Sequence, residues 1–416
     1  MTHLFSRIPY KWALLVFLFG AFFLEQGARQ IYGAVLPQVR LDFAALGVTG
    51  AQLGLVSSAF TLVFGLSLVV AGFAADFLGR KRVLVAGTLL YAVGVIGGGC
   101  ATGLAALVAF YGVVNALGQC CIAPASYSLI SQHHTTETRA TAMGVFQSAN
   151  YLGVCLASVA AGALAGLGPG RWRWAFWAVG GLAALWALVM QLLMRDTPQP
   201  VADGEAKASV RDGFSALLKK PTAILIAVAF GMFMYVMCGF RLWTVTFIVR
   251  TFEGVPLASA AFHAVFWFYL GALVSLAVSA RVIDFLGRRS KTVRMDASIL
   301  GLLLGAVPMY AVASSSSLVA CCLWLFVLGL TCGLYEAAYY PSMFDCIVPR
   351  YRSVATGLTG CLAFVLGSLA PAALGWICDA RSLRFGLATL SAFFLLGALI
   401  LLPARLFTFK RDLVSQ

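Results

Sequence analysis

Twelve stretches of predominantly apolar residues run along this chain. Each is long enough to cross a bilayer, whose core of about 30 Å takes roughly 20 residues of helix. They fall at 11–38, 50–77, 83–103, 104–130, 139–168 and 172–195, then at 222–250, 256–282, 292–315, 317–346, 353–377 and 383–404. Charge clusters and Gly/Pro turns separate them. One interruption is longer than the others: 196–221, from Asp196-Thr-Pro-Gln-Pro to Lys219-Lys220, reads as a cytoplasmic linker. The pattern predicts an all-α polytopic membrane protein with one six-helix bundle over 1–195 and a second over 222–416. The first apolar stretch is too long for a cleavable leader, and no small-residue cleavage site follows it before Arg29.

Composition agrees with that pattern. Of 416 residues, 61% are hydrophobic and only 11% charged, against roughly 25% charged in a soluble domain. The 42 glycines suit close helix packing in a bilayer. The net charge of +14 raises the question of nucleic acid, and the positions of the basic residues answer it. With the N-terminus inside, 21 of the 29 Lys and Arg fall on the cytoplasmic side and six outside, leaving Arg29 and Arg241 at membrane depth. That bias predicts a bacterial inner (plasma) membrane location with both termini cytoplasmic. The anionic inner leaflet then accounts for the basic excess, and no nucleic-acid partner is expected.

Two sequence echoes tie the halves together. After the second stretch the chain reads Gly72-Phe-Ala-Ala-Asp76-Phe-Leu-Gly79-Arg80-Lys81-Arg82, and after the eighth Ala280-Arg-Val-Ile-Asp284-Phe-Leu-Gly287-Arg288-Arg289. Further on, Arg139 precedes Gly144 by five residues, as Arg352 precedes Gly357. Matching echoes in two six-helix halves indicate an internal parallel repeat. In each loop the glycine permits a tight turn, and the basic residues hold it at the inner leaflet. Each aspartate can meet the positive end of a helix from the other half, a contact suited to gating; the bland reading is an anchored turn.

Gly-x-x-x-Asp-x-x-Gly-Arg-Lys-Arg between helices two and three, repeated after helix eight, resembles the signature loop of the major facilitator superfamily. The resemblance covers essentially the whole chain. It implies two pseudo-symmetric six-helix bundles, rocker-switch alternating access, and a central cavity lined by helices one, four, seven and ten.

Charges at membrane depth are costly, so each is a candidate for function. Helix one carries Glu25 and Arg29, four apart and therefore on one face. Helix seven carries Arg241, and helix ten Glu336, with Asp345 nearer its inner end. Helix four offers no charge, only Asn115 and Gln119. Two arginine forks suit a small anionic substrate such as a phosphate or carboxylate. Alternatively, both arginines only neutralise Glu25 and Glu336. Glu336 or Glu25 is equally open to carrying a proton in a symport cycle or to pairing permanently with an arginine. Gln30, Tyr32, Gln147, Asn150, Trp243, Tyr335 and Tyr339 are further substrate-contact candidates, each with interhelical packing as the rival reading.

Arg29 precedes Pro37 by eight residues, and helix six ends Met194-Arg195-Asp196-Thr197-Pro198-Gln199. Both features are similar to the organophosphate:phosphate antiporters, in which arginines on helices one and seven bind phosphate. The resemblance implies a phosphorylated sugar, polyol or related sugar-derived anion as substrate, with inorganic phosphate as counter-ion. The related anion:cation symporters for sugar acids also place an arginine at the Arg29 position, and with them the coupling ion is a proton. A different class, a proton-coupled exporter of amphipathic compounds, would need an acidic, aromatic cavity.

Other signals are bland. The eleven cysteines have no ligand spacing, so no metal or cofactor is expected. No Walker loop, dinucleotide fingerprint or Ser/His/Asp set appears, so no enzymatic activity is expected. His133 and His134 read as loop surface. Arg171-Trp172-Arg173-Trp174 reads as an interface anchor. Gly162 and Gly166 read as packing within a single chain, so a monomer is expected.

Overall fold

The computed structural model describes residues 9–196, 214–215, 217–287, 290, 292–348 and 351–413. Among these, twelve helices are long and apolar enough to cross a membrane. They are α1 (Tyr10–Asp42), α2 (Gly50–Leu78), α3 (Arg80–Gly99), α4 (Leu104–His133), α5 (Thr136–Ala165) and α6 (Trp172–Leu193). After them come α7 (Pro221–Thr251), α8 (Leu257–Gly287), α9 (Val293–Ser314) and α10 (Leu318–Cys346). The last two are α11 (Arg352–Gly367 continuing as Leu369–Ala380) and α12 (Leu383–Asp412). Each apolar stretch of the sequence becomes one helix, and several helices outrun their stretch by a turn. Most of the expected linker, 197–213 and 216, lies outside the described residues, as do Arg288 and Arg289.

Contacts divide the chain into two units. One comprises Met1–Val48, Leu55–Asp203 and Val255–Phe262; the other comprises Thr49–Gly54, Gly204–Gly254 and His263–Gln416.

In the first unit α3 and α4 touch backbone to backbone. A Cβ at Gly118 would stand 2.3 Å from the Tyr91 nitrogen and 2.5 Å from the Gly87 carbonyl oxygen. Only glycine at both Gly87 and Gly118 allows that approach. α4 is not a uniform helix. A π turn spans Val108–Val114, and the helix breaks at Cys120-Cys121. The break lies at the residues four and three before Pro124, which has no N–H to give the carbonyl four residues back. The same rule acts in the second unit, where α11 breaks between Gly367 and Leu369, upstream of Pro371.

The second echo now has a physical cause. Arg139 donates through Nη2 to the Ser131 carbonyl (3.0 Å) and through Nε to the His134 carbonyl (3.4 Å). Arg352 donates through Nη2 to Phe344 (3.0 Å) and through Nε to Ile347 (3.3 Å). In both units the arginine at the start of one helix satisfies orphan carbonyls at the end of the one before, at the same offsets of eight and five residues. The first echo is less uniform. Gly79 takes a positive φ of 91° between α2 and α3, whereas Gly287 is the last residue of α8. Asp284 is largely exposed and lies 4.0 Å from Arg294, which binds Asp345 at 2.7 Å.

Two expectations need correction. His134 is buried rather than on a loop surface. Its ring edges onto Trp12 and its nitrogens meet the Lys11 carbonyl and the Thr138 hydroxyl, both at 3.2 Å. Burial pushes its pKa below the usual histidine value, against the hydrogen bond to Lys11. The Arg171–Trp174 run is only partly an interface anchor. Trp174 is exposed under Arg171, but Trp172 is fully buried. Trp172 Nε1 and Arg173 Nη1 both donate to Asp42 at the end of α1, at 2.7 and 2.9 Å.

Distant residues also close helix ends. α7 begins at Pro221 with no capping side chain of its own. Asp412, at the far end of α12, accepts from the Thr222 N–H at 3.1 Å, and its carbonyl accepts from Lys220 at 2.9 Å.

Gly118→Ala should push α3 from α4 and lower stability by about 1–3 kcal/mol. Gly144→Ala, where no described atom lies within 4 Å of the added carbon, should not lower it and should raise it by up to about 1 kcal/mol through helix propensity. Thermal unfolding of the detergent-solubilised variants reads the difference.

Candidate functional site

In the first unit the i, i+4 spacing on α1 sets Glu25 and Arg29 in a salt bridge, Nη2 to Oε1 at 2.5 Å. Glu25 is buried, and its second oxygen accepts from Gln26 Nε2 at 2.8 Å. Arg29 Nε donates to Gln119 Oε1 on α4 at 3.2 Å. Gln119 in turn donates to Asn115 Oδ1 (2.9 Å), and Asn115 donates to the Tyr111 carbonyl (3.2 Å). The Tyr111 hydroxyl closes the circuit on α1, at 2.9 Å from the Ala28 carbonyl and 3.1 Å from that of Arg29. Tyr111, Asn115 and Gln119 are four apart and therefore share a face. Tyr111 lies in the π turn, a deviation that recurs at functional positions of helices. α2 supplies the floor: the guanidinium lies 4.2 Å from the centroid of Phe64 and 5.6 Å from that of Phe60.

A guanidinium has five N–H donors. Glu25 and Gln119 each take one, and no other described residue takes the remaining three. The Arg29 side chain keeps 20% of its surface exposed while Glu25 keeps 2%. The arginine is therefore anchored on one side and open on the other.

The second unit holds its charges differently. Arg241 sits two thirds of the way along α7, as Arg29 does along α1. Its Nε is buried and has no hydrogen-bond partner among the described residues. Its guanidinium carbon lies 6.0 Å from the Tyr269 ring on α8. Glu336 is close enough to interact through space, yet no ion pair within 4 Å joins the two among the described residues. Neutralisation by direct contact thus holds for Arg29 and not for Arg241.

The remaining candidates divide between packing and exposure. Gln30 and Tyr32 are buried, with Tyr32 5.4 Å from the Tyr111 ring. Trp243 is fully buried and its indole N–H donates to the Pro371 carbonyl at 3.0 Å. Tyr335 and Tyr339 are buried in an aromatic stack with Phe230, Phe233 and Tyr340. The Tyr335 hydroxyl there has no hydrogen-bond partner among the described residues. Gln147 is exposed and accepts from Tyr127 at 3.2 Å, and Asn150 is half-buried. Neither joins the Arg29 cluster by a hydrogen bond among the described residues. Asp345 belongs to the Arg294 pair at the end of α10. Tyr111, Phe64 and Gln26 were not expected. The spacing of 111, 115 and 119 is the one sequence signal that could have found Tyr111. No group of three or more metal-ligating side chains occurs among the described residues.

The sequence is 23% identical over 406 residues to the hexuronate transporter of Bacillus subtilis, spanning 94% of this chain and 92% of that one. It is 23% identical over 389 residues to the D-galactonate transporter of Escherichia coli O6:H1, spanning 85% and 86%. In fold it matches the crystal structure of a bacterial homolog of the human lysosomal transporter Spinster. That match has a TM-score of 0.83 at 19% identity and covers 99% of this chain and all of the other. The family model of the Major Facilitator Superfamily matches residues 18–295. With well over half of its length matched, this multi-pass membrane chain belongs to the Major Facilitator Superfamily.

Proposed function

We propose that the protein carries a small sugar acid, of the hexuronate or aldonate kind, across the cytoplasmic membrane by alternating access, with both termini inside. The observation that carries this reading is Arg29: a charge at membrane depth, fixed by Glu25 and Gln119, with three N–H donors left for an incoming anion. Planar donors in a fixed fork match a carboxylate. The Phe64 ring covers one face of the guanidinium. Two relatives that align along nearly their whole length are named for sugar acids, which favours these over sugar phosphates.

Glu336 is the proposed coupling acid. It lies on α10, has exposed surface, and makes no ion pair within 4 Å among the described residues. Its charge is therefore free to be switched by a proton, whereas Glu25 is committed to Arg29 and Gln26.

Counterflow in proteoliposomes should show exchange of galactonate or glucuronate without internal phosphate. Arg29→Lys keeps the charge but loses the fork, and should cut that exchange by about 10- to 100-fold, the worth of a charge-assisted hydrogen bond. Full activity in Arg29→Ala, or strict dependence on internal phosphate, would overturn the reading. Glu336→Gln should abolish accumulation driven by a pH gradient while leaving counterflow within about twofold, because exchange moves no net proton. Undiminished accumulation in that variant would remove Glu336 from the coupling role.

A further inference from the structure

The second unit contains a cavity of about 590 Å³ that the transport reading does not use. It lies between the C-terminal end of α9 and the first turns of α12, lined chiefly by Tyr310, Ser314, Arg384, Phe385, Thr389 and Ser391. This is the end of the unit opposite the turn that carries Asp284 and Arg294. Three observations bear on what it holds.

The first is a shortage of donors. The hydroxyls of Ser314, Thr389 and Ser391 already donate to backbone carbonyls one turn earlier, at 3.0, 2.6 and 2.6 Å. The helix start is closed as well, since Ser382 Oγ accepts from the Phe385 N–H at 3.1 Å. The donors still available in the lining are the Arg384 guanidinium and the Tyr310 hydroxyl. Neither makes a hydrogen bond or ion pair with any described residue, and Arg384 is the one charge in the lining. The lining therefore presents one positive charge with a second donor beside it, and a further arginine, Arg381, stands at its edge, 4.8 Å from the centroid of the Phe385 ring.

The second is the surface around it. Tyr310 and Phe385 are exposed, and the exposed apolar side chains continue from them along both helices. Leu303 and Val307 extend the stripe on α9, and Leu395, Leu396 and Leu399 extend it on α12. In a membrane protein that stripe faces hydrocarbon. The polar cavity sits at its end, as a headgroup sits at the end of its acyl chains.

The third is chemistry. A phosphodiester brings acceptor oxygens and one negative charge, which the guanidinium fork and a phenol satisfy. The free lone pairs on Ser314, Thr389 and Ser391 can then accept from a headgroup that carries donors of its own, an ammonium or glycerol hydroxyls.

We infer that this cavity binds a membrane phospholipid, its phosphodiester on Arg384 and Tyr310 and its acyl chains along the α9–α12 stripe. A free phosphate ester would satisfy the donors but would leave the apolar stripe unused.

Native mass spectrometry of the full chain, released from nanodiscs of phosphatidylethanolamine and phosphatidylglycerol into mild detergent, tests this. The wild type should keep a phospholipid adduct through delipidation. Arg384→Gln should lower its retention at least tenfold, and Tyr310→Phe should lower it by less. Arg171→Gln, which removes an arginine over Trp174 in the other unit, should leave it unchanged. Millimolar inorganic phosphate or glycerol 3-phosphate should not displace the adduct. Equal retention in Arg384→Gln would overturn the proposal. Displacement by free phosphate, or equal retention of a phosphate-free diacylglycerol by the wild type, would overturn it too. These last two measurements use unmodified protein, so they decide the matter even if a variant fails to fold.

Discussion

A guanidinium placed at membrane depth has to be held by other polar groups, and α1 and α4 share that task for Arg29. Glu25 supplies the counter-charge from one turn away on the same helix. Gln119 supplies a neutral acceptor from α4, and the chain of side chains behind it returns to the α1 backbone through Tyr111. Each link depends on how near the two helices lie. The contact at Gly87 and Gly118, which brings α3 against α4, helps to fix where the 111–115–119 face stands. An interior this crowded cannot move one of these groups without disturbing the others. That makes the open side of Arg29, where three donors meet no acceptor among the described residues, the exception in its surroundings.

The two halves repeat their scaffold more faithfully than their charges. Arg139 and Arg352 cap the preceding helices through the same atoms at the same offsets. Breaks follow the same proline rule in α4 and α11. The intramembrane charges depart from that symmetry: Arg29 is anchored twice, while Arg241 has a buried Nε with no hydrogen-bond partner among the described residues, the Tyr269 ring 6.0 Å away, and Glu336 near but not paired with it. A buried unsatisfied donor costs free energy. The two halves therefore hold their arginines by different means.

The twelve helices were legible because a run of about 20 apolar residues has few other solutions. The Glu25–Arg29 pair was legible because i, i+4 geometry is local. What escaped were partnerships with no local signature. Gln119 lies 90 residues from Arg29, and nothing in its neighbourhood marks it as that arginine's acceptor. Asp412 caps α7 from 190 residues away, and nothing beside it in the sequence marks it as that helix's cap. His134 follows a helix end and so read as surface, yet the start of α1 covers it. Arg352's role was visible as an echo but not as a mechanism, because the carbonyls it satisfies carry no sequence signal.

The charge at the cluster bears on the cargo. Arg29 and Glu25 together carry no net charge, so an anion of the proposed kind would meet a directional set of donors rather than a surplus positive field. A monocarboxylate adds one negative charge, spread over two oxygens that a fork can meet. A phosphate monoester adds nearly two charges and three oxygens, and this cluster holds no second cation for them. In a medium of low dielectric the difference is large, since the penalty for an uncompensated charge grows steeply there. An acid elsewhere in the chain that takes up a proton would offset the single added charge. On the proposed reading, one carboxylate moving with one proton leaves these buried groups closest to neutral.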